Sequence, residues 1–300
     1  MIKATSLVKC FGDFTALSAL TTEIHKGSIY GLVGSNGSGK STFLRLIAGV
    51  YMPDGGTIEI DGQPVFENTQ IKDKTFFVAD DLYFLPQSNM NDMAKFYKSI
   101  YSTFSEEKYA KLCTIFPLDP RKKINTFSKG MKRQAAIIMG LASQPDLLLL
   151  DEAFDGLDPI IRGAVRKLLS DEIASRDMTV IITSHNLREL EDLCDHVGLL
   201  HKGEIMFERE IDELKLGFCK VHAAFNPMIP LEEFKKDLSI MQISATGSLI
   251  NMVVRGISSE VSEYLLEKGA LFAEGVPLTL EEVFIHEMEA VGYDYNNIIF

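Results

Sequence analysis

The sequence predicts an α/β fold: a parallel sheet around a glycine-rich loop, with an antiparallel β subdomain, a helical subdomain and a small C-terminal α+β appendage. Three stretches carry that expectation. An apolar run passes through a glycine-rich loop into a helical pattern at "GLVGSNGSGKSTFLRLIAG" (31–49), a leucine run ends in paired acids at "LLLLDE" (147–152), and a β-branched run ends in histidine at "TVIITSH" (179–185). Short apolar runs with no polar alternation are what strands buried on both faces require.

Composition sets the outer limits. The chain has 300 residues, 46% of them hydrophobic, and a formal net charge of −12. That is ample for a buried core and suggests about two domains. The acidic balance argues against binding nucleic acid or anionic membrane over the whole surface. Cys10, Cys113, Cys194 and Cys219 form no C-x-x-C pair and read as reduced thiols of a cytosolic protein. No run reaches the roughly 18 apolar residues of a membrane span, so the chain is not expected to cross a bilayer by itself.

Taken in order, residues 2–27 and "GTIEIDGQPV" (56–65), which turns at Asp61-Gly62, read as antiparallel strands. "SIYGLVG" (28–34) is a buried strand ending in glycine. From Gly34 to Ser41 the chain then satisfies G-x-x-x-x-G-K-[ST], at the strand-to-helix junction where a phosphate cradle must sit. Glycines let successive N–H groups turn inward around a phosphate, the helix offers its positive end, and Lys40 adds a mobile charge. Ser41 can offer a hydroxyl to Mg²⁺, and Leu44, Ile47 and Ala48 share the helix face that seats this junction. The stretch is therefore a nucleoside triphosphate site.

Residues from about 87 to 143 are mostly helical, with "NMNDMAKFYKSIYSTF" and "SEEKYAKLCTIF" as amphipathic segments bounded by Pro117 and Pro120. "QPDLLLLDEAFDGLDP" (144–159) is a second buried strand, delivering Asp151 and Glu152 at the end where open α/β sheets bind ligands. One acid can hold Mg²⁺ through water while its neighbour polarises an attacking water. A core strand with an acidic turn accounts for the leucines but not for the pair. At the end of the third run, a neutral His185 imidazole can donate to a γ-phosphate. Residues 216–300 alternate as strands at "CKVHAAF" and "LINMVVRG" and read as capped helices at "SSEVSEYLLEKGA" and "TLEEVFIHEME".

These stretches together resemble the ATP-binding subunit of an ABC transporter. "GSNGSGKST" is similar to Walker A, "LLLLDE" to Walker B, "GLDP" to the D-loop and "IITSH" to the H-loop, in the family's order and over residues 2–215. The resemblance implies a P-loop NTPase of the ABC ATPase type over 1–215, with its helical subdomain at about 87–143 and an accessory domain at 216–300. It implies that Gly34, Ser35, Asn36, Gly37, Ser38, Gly39, Lys40, Ser41 and Thr42 bind ATP, that Ser41 and Asp151 hold Mg²⁺, and that Glu152 and His185 are catalytic. Phe11 stands where the family stacks an aromatic ring on adenine, with Phe14 as its competitor.

Two motifs depart from the usual pattern. "FSKGMKRQ" (127–134) occupies the place of L-S-G-G-Q, so Lys129 and Met131 are unusual while Ser128 and Gly130 survive. By resemblance those two, with Asp158 of the D-loop, contact ATP held by the opposite subunit. At the Q-loop, "KTFFVADDLYFLP" gives Asp80 in place of glutamine, a shorter and charged side chain expected near the metal, and Gln87 lies too far along to substitute.

The implied function is an ATP-hydrolysing motor that uses ATP and Mg²⁺ and pairs with a second cassette, either a copy of itself or a paralogue. It drives a separate transmembrane permease subunit and lies in the cytoplasm, peripheral on the inner face of the cell membrane. The "SKGM" form and the tail are similar to bacterial subunits associated with export. The alternative is a soluble ABC ATPase acting on ribosomes or nucleic acid. Ribosome-acting relatives usually carry two cassettes per chain and chromosome-type ones a long coiled coil. Neither feature is present, and no specific nucleic-acid partner is expected.

Overall fold

Antiparallel pairing opens the chain: β1 (Ile2–Phe11) runs back along β2 (Phe14–Ile24), and the inward positions Ile2, Ala4, Leu7, Leu17, Leu20 and Ile24 are all buried. The computed structural model describes residues 1–227, 229–276 and 278–290. Next come β3 (Ile29–Val33), buried at every position, and α1 (Lys40–Ile47). β4 (Gly55–Ile60) pairs antiparallel with β1 and turns into β5 (Gln63–Pro64) through Asp61 and Gly62, both at positive φ (51° and 76°). An Asp-Gly turn of this hand matches the twist of the strands it joins.

α2 (Thr69–Asp73), capped by Asn68, leads into β6 (Thr75–Val78). The helical region follows, with α3 (Met90–Ile100) behind an Asn89/Asp92 capping box, α4 (Glu106–Ile115) capped by Ser105, and α5 (Lys129–Ala142) capped by Ser128. From Ala135 to Ala142 every residue of α5 is buried, which makes it the central helix of this region. β7 (Leu147–Asp151), α6 (Pro159–Arg176), β8 (Thr179–Ser184), α7 (Leu187–Glu191), β9 (His196–His201) and β10 (Glu204–Glu210) complete this part of the chain.

The central sheet runs β10-β9-β3-β8-β7-β6, with β6, β7, β8, β3 and β9 parallel. In register, Val33 lies beside Ser184 and Asp151 beside Thr183. The loop after β3, the acids after β7 and the histidine after β8 therefore leave the same sheet edge together, where such sheets bind ligands. Leu32, Phe43, Leu44, Leu149 and Ile181 fill the core behind that edge. Each such side chain contributes about 1.5–3 kcal/mol on burial.

By its contacts the chain divides between Glu208 and Arg209 into two units. The second holds α8 (Ile211–Leu216), β11 (Phe218–Ala224), α9 (Leu231–Asp237), β12 (Ile240–Thr246), β13 (Leu249–Arg255), α10 (Ser258–Glu267), β14 (Phe272–Val276) and α11 (Leu280–Ala290). From β11 to β14 the order is βαββαβ, and the sheet β12-β13-β11-β14 is antiparallel throughout, a split βαβ arrangement. Val221, Ala223, Ile250, Met252 and Val254 pack one face of it against Phe234 and Leu265. Lys220, His222 and Asn251 alternate onto the other. Among the described residues, no helix is long and apolar enough to cross a membrane.

Candidate active site

The loop after β3 has its shape because only glycine fits at three of its positions. A Cβ on Gly34 would lie 2.6 Å from Ser38 Oγ, and Gly37 and Gly39 take φ of 81° and 112°. Side chains with a Cβ resist that region. The chain can then double back and start α1 at Lys40 with its first N–H groups free of helical partners. The Lys40 side chain is only 5% exposed, and its ammonium donates to the carbonyls of Gly34 (2.6 Å) and Ser35 (3.2 Å). It also stands 3.3 Å from Glu152 Oε1.

Asp151 is fully buried at the end of β7. Its Oδ1 accepts from Ser41 Oγ (3.0 Å) and Thr183 Oγ1 (2.7 Å), while Oδ2 has no hydrogen-bond partner. Burial pushes its pKa up, against the pull of those two hydroxyls. An orphaned carboxylate oxygen beside a serine hydroxyl is a donor set that fits a hard cation such as Mg²⁺, whose remaining ligands are phosphate and water.

Glu152 follows in the left-handed region at φ 50°. A non-glycine residue there costs about 1–3 kcal/mol unless its surroundings hold it. Thr183 holds it, accepting the Glu152 N–H at both its Oγ1 (3.0 Å) and its carbonyl (3.2 Å). The turn separates the two acids: Asp151 points into the protein, and Glu152 lies between Lys40 and His185, whose Nδ1 is 2.7 Å from Glu152 Oε2.

Lys40, Ser41, Glu152 and His185 line one cavity of about 360 Å³, and Asp151, bonded to Ser41, is not on its wall. Its wall includes Asn36, Gly37, Gly39, Lys40, Ser41 and Thr42 of the loop, Glu152 and His185, and also Phe14, Asp80, Lys129 and Asp155. Gly34, Ser35 and Ser38 shape the loop without lining the wall, and the Ser38 hydroxyl is buried with no partner.

Two of the expected residues have other surroundings. Phe14, not Phe11, lies on the cavity. Phe11 packs edge-on against Tyr51 (centroids 5.4 Å, planes at 70°) and under the Lys9 ammonium. Asp80 does reach the wall, and its carboxylate is bound by Arg133 at 2.6 Å. A guanidinium–carboxylate hydrogen bond is charge-assisted and roughly twice as strong as a neutral one.

Ser128, Gly130 and Asp158 are not on the wall of this chain's own cavity. Ser128 is an exposed N-cap accepting from the Met131 N–H (3.2 Å), and Asp158 caps α6 through the Ile161 N–H (3.0 Å). Gly130 sits against the D-loop, where a Cβ would come 2.6 Å from the Gly156 carbonyl.

Sequence reasoning missed Thr183, Lys129, Asp155 and Arg133. The last left a readable trace, since a lone arginine facing the apolar side of "GMKRQAAIIMGLA" must find acids when buried. Thr183 left none, because a threonine inside a β-branched strand reads as core.

Comparisons with known proteins agree with this geometry. The family profile described as "ABC transporter" matches residues 17–155. The chain is 30% identical over 285 residues to the ABC transporter ATP-binding protein YtrB of Bacillus subtilis, covering 95% of this chain and 97% of that one. It is 33% identical over 218 residues to the bacitracin transport ATP-binding protein BcrA of Bacillus licheniformis, covering 72% and 71%. A solved ATP-binding subunit of an ABC transporter superposes with a TM-score of 0.66 at 24% identity, covering 72% of this chain and 92% of that one.

Proposed function

The chain belongs to the ABC transporter ATP-binding family, and from that premise we propose that it is the motor of an exporter in which two cassettes close on two ATP molecules and move a separate transmembrane permease. It is an ATPase subunit of a transporter. The observation that supports the motor reading best is the convergence of Lys40, Ser41 and the Glu152–His185 pair on one cavity, with the buried Asp151 bonded to Ser41.

In this reading the loop N–H groups and Lys40 bind the β- and γ-phosphates, and Phe14 supplies the ring for adenine. Ser41 and Asp151 hold Mg²⁺, which when bound neutralises charge on the phosphates. Glu152 orients and polarises the attacking water, and His185 positions Glu152 and meets the γ-phosphate. Ser128, Gly130 and Asp158, outside their own chain's cavity, are free to meet ATP held by a second cassette. ATP binding then favours the closed pair, and hydrolysis reopens it. Nucleotide chemistry is assigned to the first unit and an accessory role to the second. The outward direction is supported by the form of residues 128–131 and by the tail, and the cassette is placed at the inner membrane face through its permease.

The test is to tag the chain in its source cell, solubilise membranes in mild detergent and identify what co-purifies. Recovery of a stoichiometric multi-span subunit supports the reading, and a second cassette in the same preparation decides between a homodimer and a heterodimer. Recovery with ribosomes or nucleic acid and no membrane protein overturns the transport half.

A further inference from the structure

The guanidinium of Arg133 is almost completely enclosed, with 1% of its side chain exposed, yet it lies between two carboxylates that both face the nucleotide cavity. Its Nη2 donates to Asp80 Oδ1 at 2.6 Å, and its Nη1 donates to Asp155 Oδ2 at 2.9 Å and to the Asp155 carbonyl. Lys129 adds a second cation on Asp155 at 3.0 Å. The cluster joins three segments distant in sequence: the loop after β6, the first turns of α5, and the loop between Glu152 and the D-loop glycine. Gly130 brings α5 onto Gly156 closely enough for the arginine to reach.

From this cluster we propose that Arg133 is a positioning residue that makes an aspartate tolerable at position 80, neutralising the carboxylate beside the phosphates and tying it to the loop that carries Glu152. The inference rests on the nucleotide reading above. Two acids on the wall of a triphosphate site raise the electrostatic cost of ATP unless something cancels them. A planar guanidinium presents its donors in a fixed fork that meets both carboxylates at once, which the point charge of an ammonium does not pre-organise. Consistent with this, Arg133 first and Lys129 second hold the Asp155 carboxyl down at about 2. Asp80 is held as an arginine partner instead of a metal ligand.

Full-length variants titrated with a fluorescent ATP analogue, with and without Mg²⁺, test it, with thermal melts alongside. Arg133→Gln leaves Asp80 unpaired and weakens nucleotide about tenfold or more, and adding Asp80→Asn to it restores affinity to within about threefold. Asp80→Asn alone, compared with the wild type at temperatures where its melt shows it folded, tightens nucleotide by a few-fold and leaves Mg²⁺ half-saturation in place. Weaker Mg²⁺-dependent binding by Asp80→Asn would make it a metal ligand and overturn the proposal. So would an Arg133→Gln protein that binds normally, or whose loss Asp80→Asn does not repair. Failure of the wild-type chain to bind would strike the nucleotide reading itself, whereas normal wild-type binding with either overturning result strikes only this inference.

Discussion

Replacing Phe14 by alanine separates two aromatic rings that lie three residues apart and directly opposite each other across the β1–β2 hairpin. Phe14 is 60% exposed, so its truncation leaves no hole in the core and moves stability by no more than about 0.5 kcal/mol. Stacking a base on an aromatic ring is worth about 1–3 kcal/mol, which converts to roughly 5- to 150-fold in Kd at 1.4 kcal/mol per tenfold. Phe11→Ala carries the opposite signature. It loses an edge-on pair with Tyr51, about 0.5–1.5 kcal/mol, and an exposed contact with Lys9, about 0.5–1 kcal/mol. That variant melts several degrees lower with nucleotide affinity unchanged. Titration with a fluorescent ATP analogue and a thermal melt on both variants decide the matter. An Phe11→Ala protein that loses ATP while Phe14→Ala keeps it refutes the assignment of the adenine platform.

Glu152→Gln should lower steady phosphate release by about 10²-fold or more while ATP still binds, because its neighbours Lys40 and His185 remain; turnover at the wild-type rate contradicts its role. Chelation of divalent ions should remove hydrolysis from the wild type, and Asp151→Asn should raise the Mg²⁺ needed for half-maximal rate, as followed in an Mg²⁺ titration. Gly130→Ala forces a Cβ to 2.6 Å from the Gly156 carbonyl and should cost about 1–3 kcal/mol, seen as a lowered melting temperature and denaturation midpoint. Arg133 and Lys129 hold the Asp155 carboxyl below its ordinary 3.8, at about 2. Its ion pairs therefore stabilise the fold above the unfolded value and are lost as pH falls from 3.8 to about 2. Asp155→Asn should melt below the wild type near neutral pH, with the difference closing over that acid window.

The parts of the site that depend on local chemistry were legible in the sequence. β3, β7 and β8 announced themselves as apolar runs ending in glycine, acids and histidine, because strands buried on both faces can be little else. The loop glycines were equally plain, since positive φ at Gly37 and Gly39 restricts the residue type. What stayed hidden depends on register and on distant partners. Phe11 and Phe14 are cross-strand neighbours, and which of them faces the cavity follows from bulges and twist along β1 and β2 that spacing cannot show. Asp80 was found at the wall, but the arginine that binds it comes 53 residues later from another element. In the second unit the alternating strands β11 and β13 and the helix α10 were readable, whereas the strand order and the face each strand buries were not.

The most direct test of the motor account is the mass of the Glu152→Gln protein by light scattering, with and without Mg²⁺ and ATP. The account predicts a 33.5 kDa monomer that pairs on adding ATP, with its own copy or with its co-purifying cassette, and returns to monomer when Ser128 is also replaced by arginine, because ATP is then refused by the opposing chain. A protein that binds ATP yet stays monomeric, both alone and when mixed with its co-purifying cassette, contradicts closure of two cassettes around the nucleotide.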